Sequence, residues 1–346
     1  MKKGAKPYHF DLKAFFPDYI FDRITGVRVD DPAIITRQAQ SRKQRPQLAP
    51  RGKLTILAAD HPGRGVTNIG GQPFAMGDRQ QYLGRILRVL LATEFDGFMS
   101  TPDMIDELLI VDYLVQQGGG PSFLDGRVLI GCMQRGGVAG VVGEIDDRFG
   151  AYSAEAIAEQ RLDGGKMLLR FDPSDERTLD TVDYCARAVT DLNRHHLPSF
   201  VEPLRTEKAD GRYVLKNTME ELIKLVGVCA SFGDSSRYTW LKLPYCEGFD
   251  RVAQATTLPI ILLGGPSEED PSMMYASFAS GVKARSNVRG VMVGRNVTYP
   301  GREDPAAVAH AVHGIVYHSL SAADAPAAAA AHRDAQFDAL TRYIKP

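Results

Sequence analysis

Leu54-Thr-Ile-Leu-Ala-Ala59 opens the part of the chain where the pattern turns regular. It is a short apolar run, closed by the polar turn Asp60-His61-Pro62-Gly63. A run of this length between turn signals reads as a strand covered on both faces. An amphipathic segment follows, Asp78–Thr93, in which Tyr82, Leu83, Ile86, Leu87, Leu90 and Leu91 form one helical stripe. The alternation then repeats. Further apolar runs occupy Gly97–Ser100, Val128–Cys132, Lys166–Phe171, Ser199–Leu204, Trp240–Leu243, Pro259–Leu263 and Gly290–Val293. Between and after them lie helix candidates at Pro102–Gln117, Ala154–Leu162, Thr178–His196, Thr218–Phe232, Phe249–Ala255, Pro271–Ala284 and Pro305–Ser319. Pro102, Pro271 and Pro305 fall where a first helical turn tolerates proline.

Short runs alternating with longer amphipathic segments signal βα units and a parallel sheet. Eight such units have the size and rhythm of a TIM barrel. The expected fold class is therefore α/β, a (β/α)8 TIM barrel with an N-terminal extension. A doubly wound open sheet is the alternative, but no GxGxxG follows the first run to support a dinucleotide version of it. Residues 51–320 are expected to form the barrel. Residues 1–50 read as an arm, with an amphipathic patch at Phe10–Ile24 and a basic, Gln-rich stretch at Arg37–Arg51, packed on the barrel or on a neighbouring subunit. Residues 321–346 are an Ala-rich tail with a short helix. A homo-oligomer is expected.

The 346 residues are 44% hydrophobic and 24% charged, with formal net charge -1. That balance is ordinary for a globular chain and gives no case for nucleic acid or a membrane surface as partner. Cys132, Cys185, Cys229 and Cys246 show no CxxC spacing, so they read as reduced thiols without zinc. The N-terminal sequence lacks the apolar core of a signal peptide, and no run is long enough to span a bilayer. A cytoplasmic location is expected.

Active sites of such barrels lie at the C-terminal ends of the strands. Three charged residues sit inside apolar runs: Lys166 in the fourth, Glu202 in the fifth and Lys242 in the sixth. An amine in a dry pocket has a lowered pKa and condenses with carbonyls. A second lysine holds the first down further, and a carboxylate between them offsets charge and moves protons. The structural alternative is a Lys–Glu pair closing the barrel, but buried ion pairs are seldom a net gain in stability. Lys166 stands at the start of its run, so the strand either begins near Gly164 or the side chain reaches up from deeper in the barrel. After the seventh run come Gly264 and Gly265, and after the eighth Gly294 and Arg295. Glycines let backbone N–H groups approach an anion, and arginine adds a charge-assisted contact, so these two loops read as a phosphate site. Asp60, His61, Arg170 and Gln134 are further candidates, the last in the loop Cys132–Gly140 that also holds Arg135. Asp146-Asp147 reads as a solvated loop. The eight histidines are scattered, which argues against a metal centre.

Asp163-Gly-Gly-Lys-Met-Leu-Leu-Arg-Phe-Asp-Pro173, Leu197-Pro-Ser-Phe-Val-Glu-Pro-Leu204 and Trp240-Leu-Lys-Leu-Pro244 resemble strand motifs of class I aldolases. The branch is that of tagatose-bisphosphate and sulfofructose-phosphate aldolases, within the group that includes deoxyribose-phosphate aldolase and archaeal-type fructose-bisphosphate aldolase. The resemblance implies that Lys242 forms the Schiff base, that Lys166 and Glu202 assist, and that no cofactor is needed. Ile56-Leu-Ala-Ala-Asp-His61 is similar to the first-strand signature of that group, which implies a place for Asp60 near substrate hydroxyls or in proton transfer. The resemblance covers about residues 54–320. Two departures concern substrate contacts: Pro244-Tyr245-Cys246 follows the lysine, and the seventh loop is Gly264-Gly265-Pro266 rather than a serine-containing turn. Taken whole, the chain is similar to actinobacterial barrel proteins grouped with inositol catabolism. That similarity implies cleavage of phosphorylated 2-deoxy-5-keto-gluconate to dihydroxyacetone phosphate and an aldehyde. A sugar-phosphate isomerase or epimerase, and a non-catalytic sugar-phosphate sensor, are the alternatives on the same barrel.

Overall fold

The computed structural model describes residues 8–134 and 138–346. Its strands are β1 (Leu54–Ala58), β2 (Gly97–Ser100), β3 (Val128–Cys132), β4 (Gly164–Phe171), β5 (Ser199–Ala209), β6 (Arg212–Leu215), β7 (Thr239–Leu243), β8 (Ile260–Leu263) and β9 (Val288–Val293). All except β6 pair in parallel in the order β4-β3-β2-β1-β9-β8-β7-β5, and β4 pairs with β5 to close the ring. The fold is the expected (β/α)8 barrel. β6 is an addition to it. It folds back antiparallel on the extended end of β5, through Asp210 and Gly211 at φ 49° and 78°. A two-residue Asp-Gly connection is the turn chemistry a hairpin requires.

Helices fill the outside: α1 (Leu12–Phe15), α2 (Asp18–Asp30), α3 (Ala33–Ser41), α4 (Arg79–Ala92), α5 (Pro102–Gln117), α6 (Ala154–Glu159), α7 (Arg177–Arg194), α8 (Met219–Ala230), α9 (Phe249–Gln254), α10 (Ser272–Ala284), α11 (Arg295–Thr298), α12 (Pro305–His318) and α13 (Ala325–Ala330). Several starts are fixed by side-chain caps. Asp78 accepts from Gln81 N, Ser153 from Ala156 N, Thr218 from Glu221 N and Asp304 from Ala306 N. Among the described residues no helix is long and apolar enough to cross a membrane.

Strand side chains alternate between two separate cores. Ile56, Ala58, Met99, Ile130, Cys132, Phe200, Ile261 and Met292 point inward and form one cluster, with Leu48 and Ala49 packed against it. Leu57, Leu129, Met167, Leu169, Val201, Leu241, Leu243 and Val291 point outward into the helical layer. The period of two therefore sends Lys166, Glu202 and Lys242 into the barrel, because they share parity with the inward set.

The segment before the barrel is helical and packs against it: Phe10, Leu12, Phe15, Phe16, Ile20 and Ile24 join the outer core. The tail meets it on the same wall. Arg88 of α4 is fully buried, bonds both oxygens of Asp304 (3.0 and 2.7 Å), and donates to Ala335 O at 2.7 Å. Phe10, Phe15 and Phe337 surround its guanidinium. Arg88→Met leaves Asp304 as an unpaired buried charge. It should cost about 3–5 kcal/mol in denaturant unfolding.

Candidate active site

Four buried side chains form one charged chain at the mouth of the barrel. Lys242 Nζ lies 2.9 Å from Glu202 Oε1, and Lys166 Nζ lies 2.6 Å from Glu202 Oε2 and 3.0 Å from Asp60 Oδ2. Arg64 donates to the same Asp60 oxygen. Cys132 Sγ is 3.6 Å from it. The strand register explains the reach of Lys166. It pairs with Phe200, whereas Leu168 pairs with Glu202, so Lys166 starts one inward position below the carboxylate it meets. Both sequence explanations hold: β4 begins at Gly164, and the four-carbon stem carries the ammonium upward.

The electrostatics separate the two lysines. Burial lowers the pKa of Lys242 from its ordinary value; Glu202 opposes this more strongly than Lys166 adds to it, but burial prevails. Burial also opposes charge on Lys166, but Asp60 and Glu202 outweigh it and raise the pKa. Burial pushes Glu202 upward, and the two lysines more than reverse that, down to about 2. Asp60 is likewise held well below the usual carboxylate range, with Lys166 and Arg64 overcoming its burial. The result is one amine biased toward neutrality beside an ammonium and two carboxylates fixed in charged form. Linkage follows. A depressed carboxylate contributes stability that is present above its unfolded pKa, near 4.5 for Glu202, and is lost as pH falls toward about 2. Thermal unfolding should therefore show a steep loss of stability across that window, and Glu202→Gln should flatten it.

A cavity of about 220 Å3 opens over this cluster. Two carboxylates, Asp60 and Glu202, and four cationic side chains, Arg64, Arg170, Lys242 and Arg295, line it. Gly264, Gly265, Gly294, His61 and Leu215 of β6 line it too. The glycines are sterically required: a Cβ on Gly294 would stand 2.4 Å from Ala58 O, and Gly265 has φ 71°. Asn296 ties the two glycine loops together, donating to Gly264 O at 2.7 Å and Pro266 O at 2.8 Å. Arg295 Nε is buried and has no hydrogen-bond partner. Burial lowers the pKa of His61 to about 3, against the pull of Asp60, so its ring is neutral at pH 7.

The structure thus gathers Lys242, Lys166, Glu202, Asp60, His61, Arg170 and the glycine loops with Arg295. It does not bring Gln134 to the cavity. The amide of Gln134 is occupied by the backbone of β4, accepting from Leu168 N and donating to Leu168 O and Asp147 O. It braces the strand that carries Lys166. Arg135 lies outside the described residues. Arg170 is held by Glu144, with Nη1 3.1 Å from Oε1 and 2.9 Å from the main-chain oxygen. Asp147 is a correction: it is not solvated but fully buried, and neither carboxylate oxygen has a hydrogen-bond partner. Arg64 and Leu215 escaped the sequence reading. The Asp60–Arg64 spacing of i,i+4 was the available signal for the first. Among the described residues no group of three His, Cys, Asp or Glu side chains is placed to hold a metal ion.

A sequence model described as Cgl0159-like matches residues 52–313. The chain belongs to the Cgl0159-like family. A solved member, Cgl0159 of Corynebacterium glutamicum, is 32% identical and superposes with a TM-score of 0.81, covering 88% of this chain and 98% of its own. Beyond the Cgl0159-like proteins the likeness is one of fold. An archaeal fructose-1,6-bisphosphate aldolase with its catalytic lysine bound to the carbinolamine intermediate is 20% identical at TM-score 0.53, covering 82% and 99% of the two chains. The fructose-bisphosphate aldolase of Slackia heliotrinireducens is 12% identical at TM-score 0.59, covering 94% and 95%. Among curated proteins, the 3-hydroxy-5-phosphonooxypentane-2,4-dione thiolases of Salmonella typhimurium and Salmonella paratyphi A are 35% identical over 79 residues, 22% of this chain. The match spans about a quarter (24%) of the length of those relatives.

Proposed function

We propose that the chain is a class I aldolase in which Lys242 forms a Schiff base with the ketone of a phosphorylated ketose or keto-deoxy sugar acid. The observation that carries this reading is the pairing of Lys242, buried and lowered in pKa, with a carboxylate shared by a second, charged lysine. The neutral amine attacks the carbonyl carbon to give a carbinolamine, and Glu202 moves the proton released from the amine. Lys166 stands within the same network to protonate the departing hydroxyl as water. The protonated imine then draws the electron pair of the breaking C–C bond, and Asp60 orients or deprotonates the hydroxyl that becomes the aldehyde. The glycine loops and Arg295 take the phosphate, and that remote binding positions the scissile bond. The C–C chemistry named for the fold relatives and the Salmonella thiolases is compatible with this assignment. Within the substrate class, 2-deoxy-5-keto-gluconate 6-phosphate is the candidate drawn from the sequence resemblance, with tagatose-bisphosphate or sulfofructose-phosphate as rivals.

The test is borohydride trapping. Incubation with dihydroxyacetone phosphate and borohydride should add the reduced triose phosphate to Lys242 alone, as mapped by peptide mass. An adduct on another lysine, or none, removes the imine assignment. An isomerase or a sensor on this barrel would survive borohydride unmodified.

A further inference from the structure

We propose that His61 carries the proton of the cleavage step: its Nε2 takes the proton of the substrate hydroxyl as the C–C bond breaks, and returns it to the carbon left on Lys242. This rests on the reading that Lys242 holds the substrate as an imine, and it leaves Asp60 the task of orienting. The two carboxylates are poorly suited to accept a proton. Each oxygen of Glu202 meets a lysine, Lys242 at 2.9 Å and Lys166 at 2.6 Å. Asp60 Oδ2 takes Lys166, Arg64 and the Cys132 thiol together. The cations hold both groups in charged form, and a carboxylate stabilised in that way is a weak base. The other titratable side chains that line the cavity are Arg64, Arg170, Arg295, Lys242 and His61. Guanidiniums do not give up a proton, and Lys242 is consumed in the imine. That leaves the imidazole.

The surroundings of the ring fit the task. His61 Nδ1 is buried without a hydrogen-bond partner, and the carboxylate oxygen facing it is Asp60 Oδ1 at 4.0 Å. A proton on Nδ1, directed at that oxygen, sets the tautomer and leaves Nε2 as the acceptor. The side chain is 23% exposed and lines the cavity. Glycine behind it gives the ring room: a Cβ on Gly294 would stand 3.2 Å from His61 Cε1. β1 and β7 are three strands apart around the barrel, so His61 and Lys242 bound the cavity from nearly opposite walls. Arg295 and Lys242 oppose charge on the ring. A substrate phosphate at Arg295 offsets that repulsion, so the base gains strength once substrate is in place. The step balances within one cycle. Nε2 takes the hydroxyl proton, the oxygen becomes the aldehyde carbonyl, and the electron pair of the C–C bond moves into the imine to give an enamine. After the aldehyde leaves, the same proton passes from Nε2 to the enamine carbon and restores the imine for hydrolysis.

Hydrogen exchange on dihydroxyacetone phosphate tests the return of the proton to carbon. In D2O the intact chain should place deuterium on the hydroxymethyl carbon, read by proton NMR, and Lys242→Met should place none. His61→Gln should slow the exchange about 10^2-fold or more, while dihydroxyacetone phosphate and borohydride still label Lys242. That retained labelling shows a folded variant that forms the imine and fails only afterwards, which a structural role for the histidine would not produce. Exchange by His61→Gln within about threefold of the parent rate, outside the usual loss for a proton-transfer group, overturns the proposal and assigns the transfer to Asp60. Loss of labelling together with exchange also overturns it, because the histidine then serves imine formation or the fold. Labelling of the intact chain without exchange removes the shuttle and leaves the imine standing. An intact chain that is not labelled at all removes the imine reading, and this proposal with it.

Discussion

Lys242→Met should reduce C–C cleavage to background, a loss on the order of 10^5-fold or more, as expected when a covalent nucleophile is removed. Borohydride should then label nothing in the cavity. The fold should survive. Methionine preserves most of the apolar stem between the walls of the barrel, and Glu202 keeps its 2.6 Å contact with Lys166. The stability change is expected to stay within about 1 kcal/mol, because the deleted charge was disfavoured by burial. Rate assays with circular dichroism and thermal unfolding check both halves. Residual cleavage above about 1% of the parent rate would show that another group forms the covalent bond.

Lys166→Met should fail differently. Lys166 is the cation that Asp60 and Glu202 share, so its removal leaves each buried carboxylate with one neighbouring base, Arg64 for Asp60 and the charge-disfavoured Lys242 for Glu202. Breaking a buried pair in this way costs about 3–5 kcal/mol. Both carboxylates should then move up in pKa, since Lys166 is the main influence opposing their burial. Lys242 loses the repulsion that lowers it, becomes more fully protonated, and attacks more slowly. Cleavage should fall by about 10^2 to 10^4, the usual range for losing proton transfer. The distinguishing measurement is the pH profile of borohydride trapping. Its alkaline rise, set by deprotonation of Lys242, should shift to higher pH in Lys166→Met. An unchanged profile with unchanged stability would reduce Lys166 to a bystander.

The barrel strands were legible because each is covered on both faces, which leaves a short continuous apolar run with turn residues at its ends. The three inward charges were legible for the same reason, as polar residues interrupting those runs. β6 was not. Its residues Arg212, Val214 and Leu215 are exposed, so nothing in their polarity separates a strand from a loop. Asp147 was misread because adjacent acids usually face water, and only the folding of its loop against Gln134 and Thr181 buries one of them. Gln134 was drawn toward the site by its neighbours in sequence, although its side-chain amide oxygen and nitrogen both bond the backbone of Leu168 in β4. Loop residues take their environment from distant segments, and a single sequence carries little record of that.

The one-layer offset between Lys166 and Glu202 has a consequence for how this protein can change over time. The reach of a lysine stem is fixed, so the strand register acts as a ruler that keeps the two groups within hydrogen-bonding distance. An insertion of one residue within β4 before Lys166 would turn the ammonium into the oily helical layer and expose an apolar side chain to the cavity. New substrates must therefore be acquired through the loops at the rim, while the lengths of β4, β5 and β7 stay frozen.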